Sequence, residues 1–309
     1  PTPQPVAPAT NAVAIGEAVI PSIVTVQVGN GGGLSGSGSG VIIDAGGLIV
    51  TNDHVIAAGT QYEVVLSDGR TAYEATLVGT DPLTDLAVLK IEAEGLTPIR
   101  FGDTSELRVG DSAVAVGSPL GLEGGPSLTV GVLSAFGRQV QVSNDDVLYG
   151  MLQTDAPITQ GSSGGALVDG RGRLIGITTA VGVSEVGVEG IGFATPIELV
   201  ERVIDELIAT GEIHHAFLGI FGGTSFADAA DGASVAVGVQ VSSVEPGTGA
   251  EAGGLEAGDL ITSIDGLPVT TMDDLVVALR YMTAGDAITL TVSGETGART
   301  LDITLGERP

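Results

Sequence analysis

Two serines stand inside a run of glycines at residues 158–169, ITQGSSGGALVD. A serine hydroxyl is a weak nucleophile until a base takes its proton and preorganised N–H donors meet the oxyanion that follows. Neighbouring glycines let the main chain turn its amides toward one point and let a substrate backbone come close. Ser163, followed by Gly164 and Gly165, has that arrangement. The amides of Gly161 and Ser163 can then converge on one site, with Ser162 as the intervening residue. A flexible Gly-Ser loop is the plainer reading of these few residues, and the apolar strand-like segments on both sides weaken it.

A base must come from elsewhere. The chain has three histidines. His54 lies in LIVTNDHVIAAG, just after a strand-like run. His214 and His215 adjoin one another in the segment EIHHA, which reads as a solvent-exposed linker. A histidine base needs a carboxylate to orient it. Asp81 precedes Pro82 and reads as a turn residue. Asp85 immediately precedes the apolar run LAVLKI, where a carboxylate can be held rigidly, and is the better choice. Asp155 in QTDAPIT reads as structural, bonded to nearby backbone amides. Metal-assisted hydrolysis has little support: there is no H-E-x-x-H, no cysteine and no histidine pair in the first two-thirds of the chain. No P-loop is present, so neither a metal nor a nucleotide cofactor is expected.

The elements that must hold these groups are short. SIVTVQV, GVIID, LIVTN, YEVVL, LAVLKI, SAVAVG, GVLSAF and RLIGITTA are β-branched runs bounded by Gly, Asp, Asn and Pro. Many short strands at such spacing predict an all-β barrel or sandwich. The period then changes in TPIELVERVIDELIATG. Thr195 as cap, Pro196 at the first helical position and Glu198 completing a capping box predict a helix ending at Gly211. Ile197, Val200, Val203, Ile204, Leu207 and Ile208 form its apolar stripe. From Phe217 a smaller unit mixes strands with one helix, opened by Thr271 and Asp274 and carrying Leu275, Val276, Leu279 and Met282 on one side.

Length and charge bound the rest. A chain of 309 residues suggests two domains. Its formal net charge is −27 and Lys90 is its one lysine, so duplex nucleic acid and anionic membrane surfaces are disfavoured as partners. No segment reads as a membrane span. PTPQPVAPAT reads as a Pro-rich tether of a mature or trimmed chain.

Taken jointly and in order, GSGSGVIID, TNDHVI, TDLAVLKI, VAVGSPLGL, QTDAPITQGSSGGALVD and IGFATPIELV resemble the HtrA/DegP family of chymotrypsin-like serine proteases. The resemblance spans roughly residues 14–306. It implies a mainly β fold: a tether over 1–13, a double β-barrel protease domain over 14–210, a linker over 211–216 and an α+β PDZ domain over 217–309. Ser163 would be the nucleophile, His54 the general base and acid, and Asp85 the orienter of His54. The turn Gly161–Ser162–Ser163 would form the oxyanion hole through the amides of Gly161 and Ser163. The loop from Val181 to Gly190 would shape a small aliphatic specificity pocket, implying cleavage after residues such as Val or Ala. Phe217, Leu218, Gly219 and Ile220 (FLGI) would occupy the carboxylate-binding loop of the PDZ domain. Two departures stand out: Ser162 where the family usually has Asn, and Thr159-Gln160 where it usually has Asn-Pro.

The implied activity is ATP-independent endoproteolysis of unfolded or mislocalised proteins in protein quality control, tuned by a PDZ domain that binds peptide C-termini. The short GNGGGLSG loop implies a homotrimer. The family also implies an extracytoplasmic place, in the periplasm or cell envelope, where a segment preceding Pro1 could tether the chain to a membrane. The alternative is a chaperone or peptide-binding scaffold on an inactive protease fold, against which the complete His54, Asp85 and Ser163 set argues. A generic esterase would call for helical crossovers between its strands, which these short successive strand-like runs do not offer.

Overall fold

The computed structural model describes residues 11–31, 33–118, 125–142, 146–179, 190–229, 232–294 and 297–308. The chain divides into two units between Ile213 and His214. The expected specificity loop, Val181 to Gly190, lies outside the described residues except for Gly190, and the expected tether is described only from residue 11.

Among the described residues, the first unit is built from two closed six-stranded barrels. Strands β1 (Ile23–Gly29), β2 (Leu34–Ile42), β3 (Leu48–Thr51), β4 (Gln61–Val65), β5 (Ala72–Asp81) and β6 (Leu86–Ile91) close in the order β1-β2-β3-β6-β5-β4. Strands β7 (Ser112–Gly117), β8 (Ser127–Gln141), β9 (Val147–Thr154), β10 (Ala166–Asp169), β11 (Leu174–Thr179) and β12 (Gly192–Pro196) close in the order β10-β11-β12-β9-β8-β7. Period-2 side-chain alternation explains the packing. Val24, Val26 and Val28 of β1 join Ile42, Ile49 and Leu89 in one cluster, while Ile23 faces another. LAVL and ALV read as short continuous apolar runs because β6 and β10 are buried on both faces there. Leu86 and Val88 turn to the cluster shared with Ala166 and Val168; Leu89 and Leu167 turn to different ones.

Among the described residues, three α-helices complete this unit. Helix α1 (Ala12–Val19) starts where Asn11 Oδ1 accepts a hydrogen bond from Ala14 N at 3.2 Å, and it seats Ile15 and Val19 in the shared cluster. Eight residues are too few for a helical period to stand out in the sequence. Helix α2 (Asp53–Ile56) is one turn carrying His54. Helix α3 (Ile197–Thr210) is the helix expected from its stripe, with two corrections. No side chain caps it: Pro196 is the N-cap and Thr195 is buried in β12. Glu198 instead accepts from Thr104 N and Thr104 Oγ1 at 2.6 and 2.8 Å, a partner 94 residues away. Ile208 is exposed, whereas Ile197, Val200, Val203, Ile204 and Leu207 are buried. A 14-residue helix is marginal alone in water. Burial of those side chains, at about 1.5–3 kcal/mol each, is what keeps it. Gly211 closes it in the left-handed conformation, φ 82°, its amide bonded to Leu207 O at 2.8 Å.

The second unit pairs β13 (Ala216–Phe217) with β20 (Gly306–Glu307). A larger sheet runs in the order β14 (Ile220–Asp228), β15 (Ser234–Val244), β16 (Leu260–Ile264), β18 (Ala287–Gly294), β19 (Gly297–Thr304), with β17 (Leu267–Pro268) paired to β16. Helix α4 spans Gly249–Ala252 and helix α5 Met272–Arg280. The capping box expected of Thr271 and Asp274 is present in full. Leu275 of α5 is buried with Val239, Ile261, Ile288 and Leu290 in this unit's core.

Candidate active site

His54 and Asp85 meet directly. His54 Nδ1 lies 2.9 and 2.8 Å from Asp85 Oδ1 and Oδ2, and the His54 amide also reaches Oδ1 at 3.0 Å. A carboxylate on Nδ1 holds the proton there and leaves Nε2 as the basic nitrogen. Asp85 is 7 % exposed and has φ 56°, a left-handed conformation that aspartate adopts more readily than most residues. The His54 side chain is half-exposed, as a group that must reach a substrate requires. The rival carboxylates are used otherwise. Asp81 accepts from Leu83 N and Thr84 Oγ1 in its turn, at 3.1 and 2.5 Å. Asp155 accepts from Val132 N at 2.6 Å.

Charge tunes the histidine. Partial burial pushes the His54 pKa down, but the hydrogen bond and charge of Asp85, helped by Asp53, outweigh it and raise the pKa above the ordinary 6.5. Asp53 itself is raised by burial and by the charges of Asp85 and Asp81, against the hydrogen bond from Thr80 Oγ1 and the pull of His54.

Ser163 is 5 % exposed and sits on a turn that docks onto β2. Ser39 N donates to Ser163 O at 2.8 Å and Ser39 Oγ to Gly161 O at 2.7 Å. The same Ser39 accepts from Ser118 N at 2.8 Å and, through its carbonyl, from Thr51 Oγ1 at 2.7 Å. GSGSG thus lies within strand β2 and packs against this turn. A Cβ placed on Gly38 would lie 2.6 Å from Val55 Cγ2 and 3.2 Å from Ser163 O. Only a glycine lets both helix α2, which carries His54, and the Ser163 turn approach this strand. In this way β2 packs against both α2, which carries His54, and the turn that carries Ser163. Residues 159–162 form a turn closed by Ser162 N to Thr159 O at 2.9 Å, with Gly161 at φ 89°. A positive φ at the third position marks a type II turn, whose central amide is flipped relative to type I. The amides of Ser162, Gly164 and Gly165 are bonded to the carbonyls of Thr159, Thr178 and Ser162. Ser162 thus contributes to the turn's closure rather than a donor to the site. Sequence reasoning missed Ser39, Thr178 and Asn52. Their signal was small polar residues inside strand-like runs, which alone does not say what they touch.

The second unit holds a groove of about 240 Å³ between the FLGI segment and α5. Phe217, Leu218, Gly219 and Ile220 all line it, with Met272, Val276 and Leu279 opposite. Gly219 has φ 85°, and a Cβ there would collide with Thr248. Leu218 O accepts from Ala250 N at 3.1 Å and Gly219 O from Glu245 N at 2.9 Å. In a trans peptide N–H points opposite to C=O, so the amides of Gly219 and Ile220 face away from these partners. His215, expected in an exposed linker, is instead 8 % exposed and lines the groove. Its carbonyl accepts from Arg308 N at 2.9 Å, tying it into the second unit, and His214 Nε2 lies 3.8 Å from Glu307 Oε1.

Residues 38–177 match the trypsin-like peptidase domain and residues 240–293 the PDZ domain. The chain is 38% identical over 311 residues to the serine protease PepD of Mycobacterium tuberculosis, covering 94% of this chain and 64% of that protein. It is 41% identical over 272 residues to the periplasmic serine endoprotease DegP of Escherichia coli, covering 85% of this chain and 56% of that one. It thus spans about three-fifths of the length of these relatives. Among solved structures, the HtrA-type protease AlgW with a tripeptide superposes with TM-score 0.81 at 34% identity, over 97% of this chain and 98% of that one. The His54–Asp85 pair, the Ser163 turn held on β2 and the peptidase-then-PDZ order agree with these similarities: the chain belongs to the HtrA/DegP family of trypsin-like serine proteases with a C-terminal PDZ domain.

Proposed function

We propose that the protein is a serine endopeptidase that cleaves unfolded or mislocalised proteins outside the cytoplasm. The observation that carries this is the Asp85 carboxylate bonded to both the amide and Nδ1 of His54, beside a Ser163 turn docked on the same strand. His54 Nε2 takes the Ser163 Oγ proton as Oγ attacks the scissile carbonyl, and Asp85 steadies the imidazolium that results. The amides of Gly161 and Ser163 meet the oxyanion. His54 then passes its proton to the leaving amine, and water repeats the sequence on the acyl-enzyme. Casein digestion and labelling of Ser163 by a fluorophosphonate test the reading. Absence of labelling in folded protein would leave the peptide-binding scaffold instead.

Because the base must be neutral, kcat/KM rises with pH as His54 loses its proton. The raised pKa places the midpoint above 6.5, and Asp53→Asn, which removes one of the charges holding the proton, moves it down. A profile flat from about pH 5 to 8 contradicts a histidine base with an ordinary or raised pKa.

The second unit captures peptide C-termini by adding them beside β14, with the carboxylate met by main-chain amides of FLGI. Calorimetry on the Ser163→Ala chain is expected to give affinities near the micromolar range, since ordering an extended peptide costs much of the contact energy. Amidating the same peptide is expected to weaken it sharply; equal affinity for both forms rejects carboxylate capture. Acidic peptides are expected to bind better with added salt, as repulsion by the net charge of −27 is screened.

Family membership supports a homotrimer in the periplasm or cell envelope. Sedimentation equilibrium is expected to give three times the chain mass of 30.7 kDa; a monomer or stable dimer overturns this. No helix among the described residues is long and apolar enough to cross a membrane.

A further inference from the structure

Asn52 stands at the N-cap of α2, two residues before His54. An asparagine there ordinarily accepts a hydrogen bond from the second or third helical amide. Here the Asn52 side chain makes no such bond. The second helical amide, that of His54, goes to Asp85 Oδ1 at 3.0 Å. Asn52 is turned the other way: its Nδ2 donates to the main-chain O of Asp85 at 2.7 Å and approaches Thr179 Oγ1 at 3.3 Å. The residue is fully buried, and its Oδ1 has no hydrogen-bond partner among the described residues. Leaving a buried acceptor unmet is unfavourable, so some other demand sets this rotamer. That demand is visible at Asp85, which has one of two positive φ angles found at non-glycine residues among those described.

We infer that Asn52 is a positioning residue of the triad: Asp85 caps the helix that carries His54, Asn52 clasps the Asp85 carbonyl in return, and together they hold the backbone conformation from which the carboxylate meets His54. Were Asp85 to relax to negative φ, its side chain would leave from a different direction and lose both nitrogens of His54. Thr179 ends β11, so the same carboxamide also joins the second barrel to this corner of the first. The inference rests on the protease reading above.

The test uses the full chain with Asn52→Ala and Asn52→Ser, each alone and in an Asp85→Ala background. Serine is as good an N-cap as asparagine but too short to hold the Asp85 carbonyl in the same way. In the single variants kcat is expected to fall about 10- to 100-fold with KM nearly unchanged, the loss typical of a misplaced reacting group. The acid limb of the pH profile moves down, because Asp85 holds the His54 proton less well. In the Asp85→Ala background neither change costs anything more. Wild-type kcat in Asn52→Ser, or an equal loss in both backgrounds, overturns the inference. A low-field proton resonance of the His54 Nδ1–H gives a readout free of turnover: it is expected to move upfield in Asn52→Ser, and an unchanged resonance also overturns the clasp. Failure of wild-type protein to be labelled at Ser163 would sink the protease reading, whereas this resonance would still report on Asn52.

Discussion

Asp85→Asn is expected to lower kcat about 10⁴-fold, the loss known for this exchange in another serine protease triad, with the fold intact. The reason lies in the two nitrogens that Asp85 serves. The His54 amide is a fixed donor and claims the one remaining oxygen. The new NH₂ group then faces Nδ1, where the carboxylate now accepts. A donor facing Nδ1 favours the tautomer with the proton on Nε2, so the imidazole can no longer accept the Ser163 proton. Asparagine keeps the shape of aspartate and can still cap α2, so thermal unfolding is expected to change little. Peptide hydrolysis and the rate of fluorophosphonate labelling fall together. A loss below about tenfold would mean that another carboxylate orients His54, although Asp81 and Asp155 are bonded elsewhere.

Ser163→Ala is expected to remove at least about a thousandfold of the rate, since what remains is transition-state binding by the oxyanion turn and the substrate contacts. The change deletes one oxygen from a residue that is 5 % exposed. The main-chain bond of Ser39 N to Ser163 O stays, so the turn should keep its place. The variant therefore separates chemistry from binding: casein cleavage and covalent labelling disappear while peptide capture by the second unit persists. Undiminished hydrolysis in a folded Ser163→Ala protein would remove Ser163 from the mechanism altogether.

Those residues were legible because chemistry limits which types can do the work and because rigid apolar runs flank them. His54 was the one histidine near a strand in the first unit, Asp85 stood directly before LAVLKI, and Ser163 stood between glycines and ALVD. The two-part architecture was legible for a related reason. A strand must alternate or bury both faces, and a helix must present a stripe, so β1, β6, β10 and α3 left marks with their own periods. The Thr271–Asp274 box could be read because both partners lie within one turn.

What the chain order did not reveal was every role that depends on a distant partner. Glu198 matched a capping box by spacing, yet Thr104, far away in sequence, takes its carboxylate. Ser39 and Gly38 stood in a motif shared with the family, but their contacts with α2 and the Ser163 turn exist only in the folded chain. Asn52 stands at the start of α2, yet its side chain donates to the Asp85 carbonyl, 33 residues away, instead of capping the helix. His215 looked like part of an exposed linker and lines the groove. Residue type and local period determine which groups are able to act and which elements can form, because both depend on interactions within a few residues. Which hydrogen bonds those groups finally make was decided only by tertiary packing, which brings segments roughly a hundred residues apart into contact, because most buried donors and acceptors must take a partner they meet there.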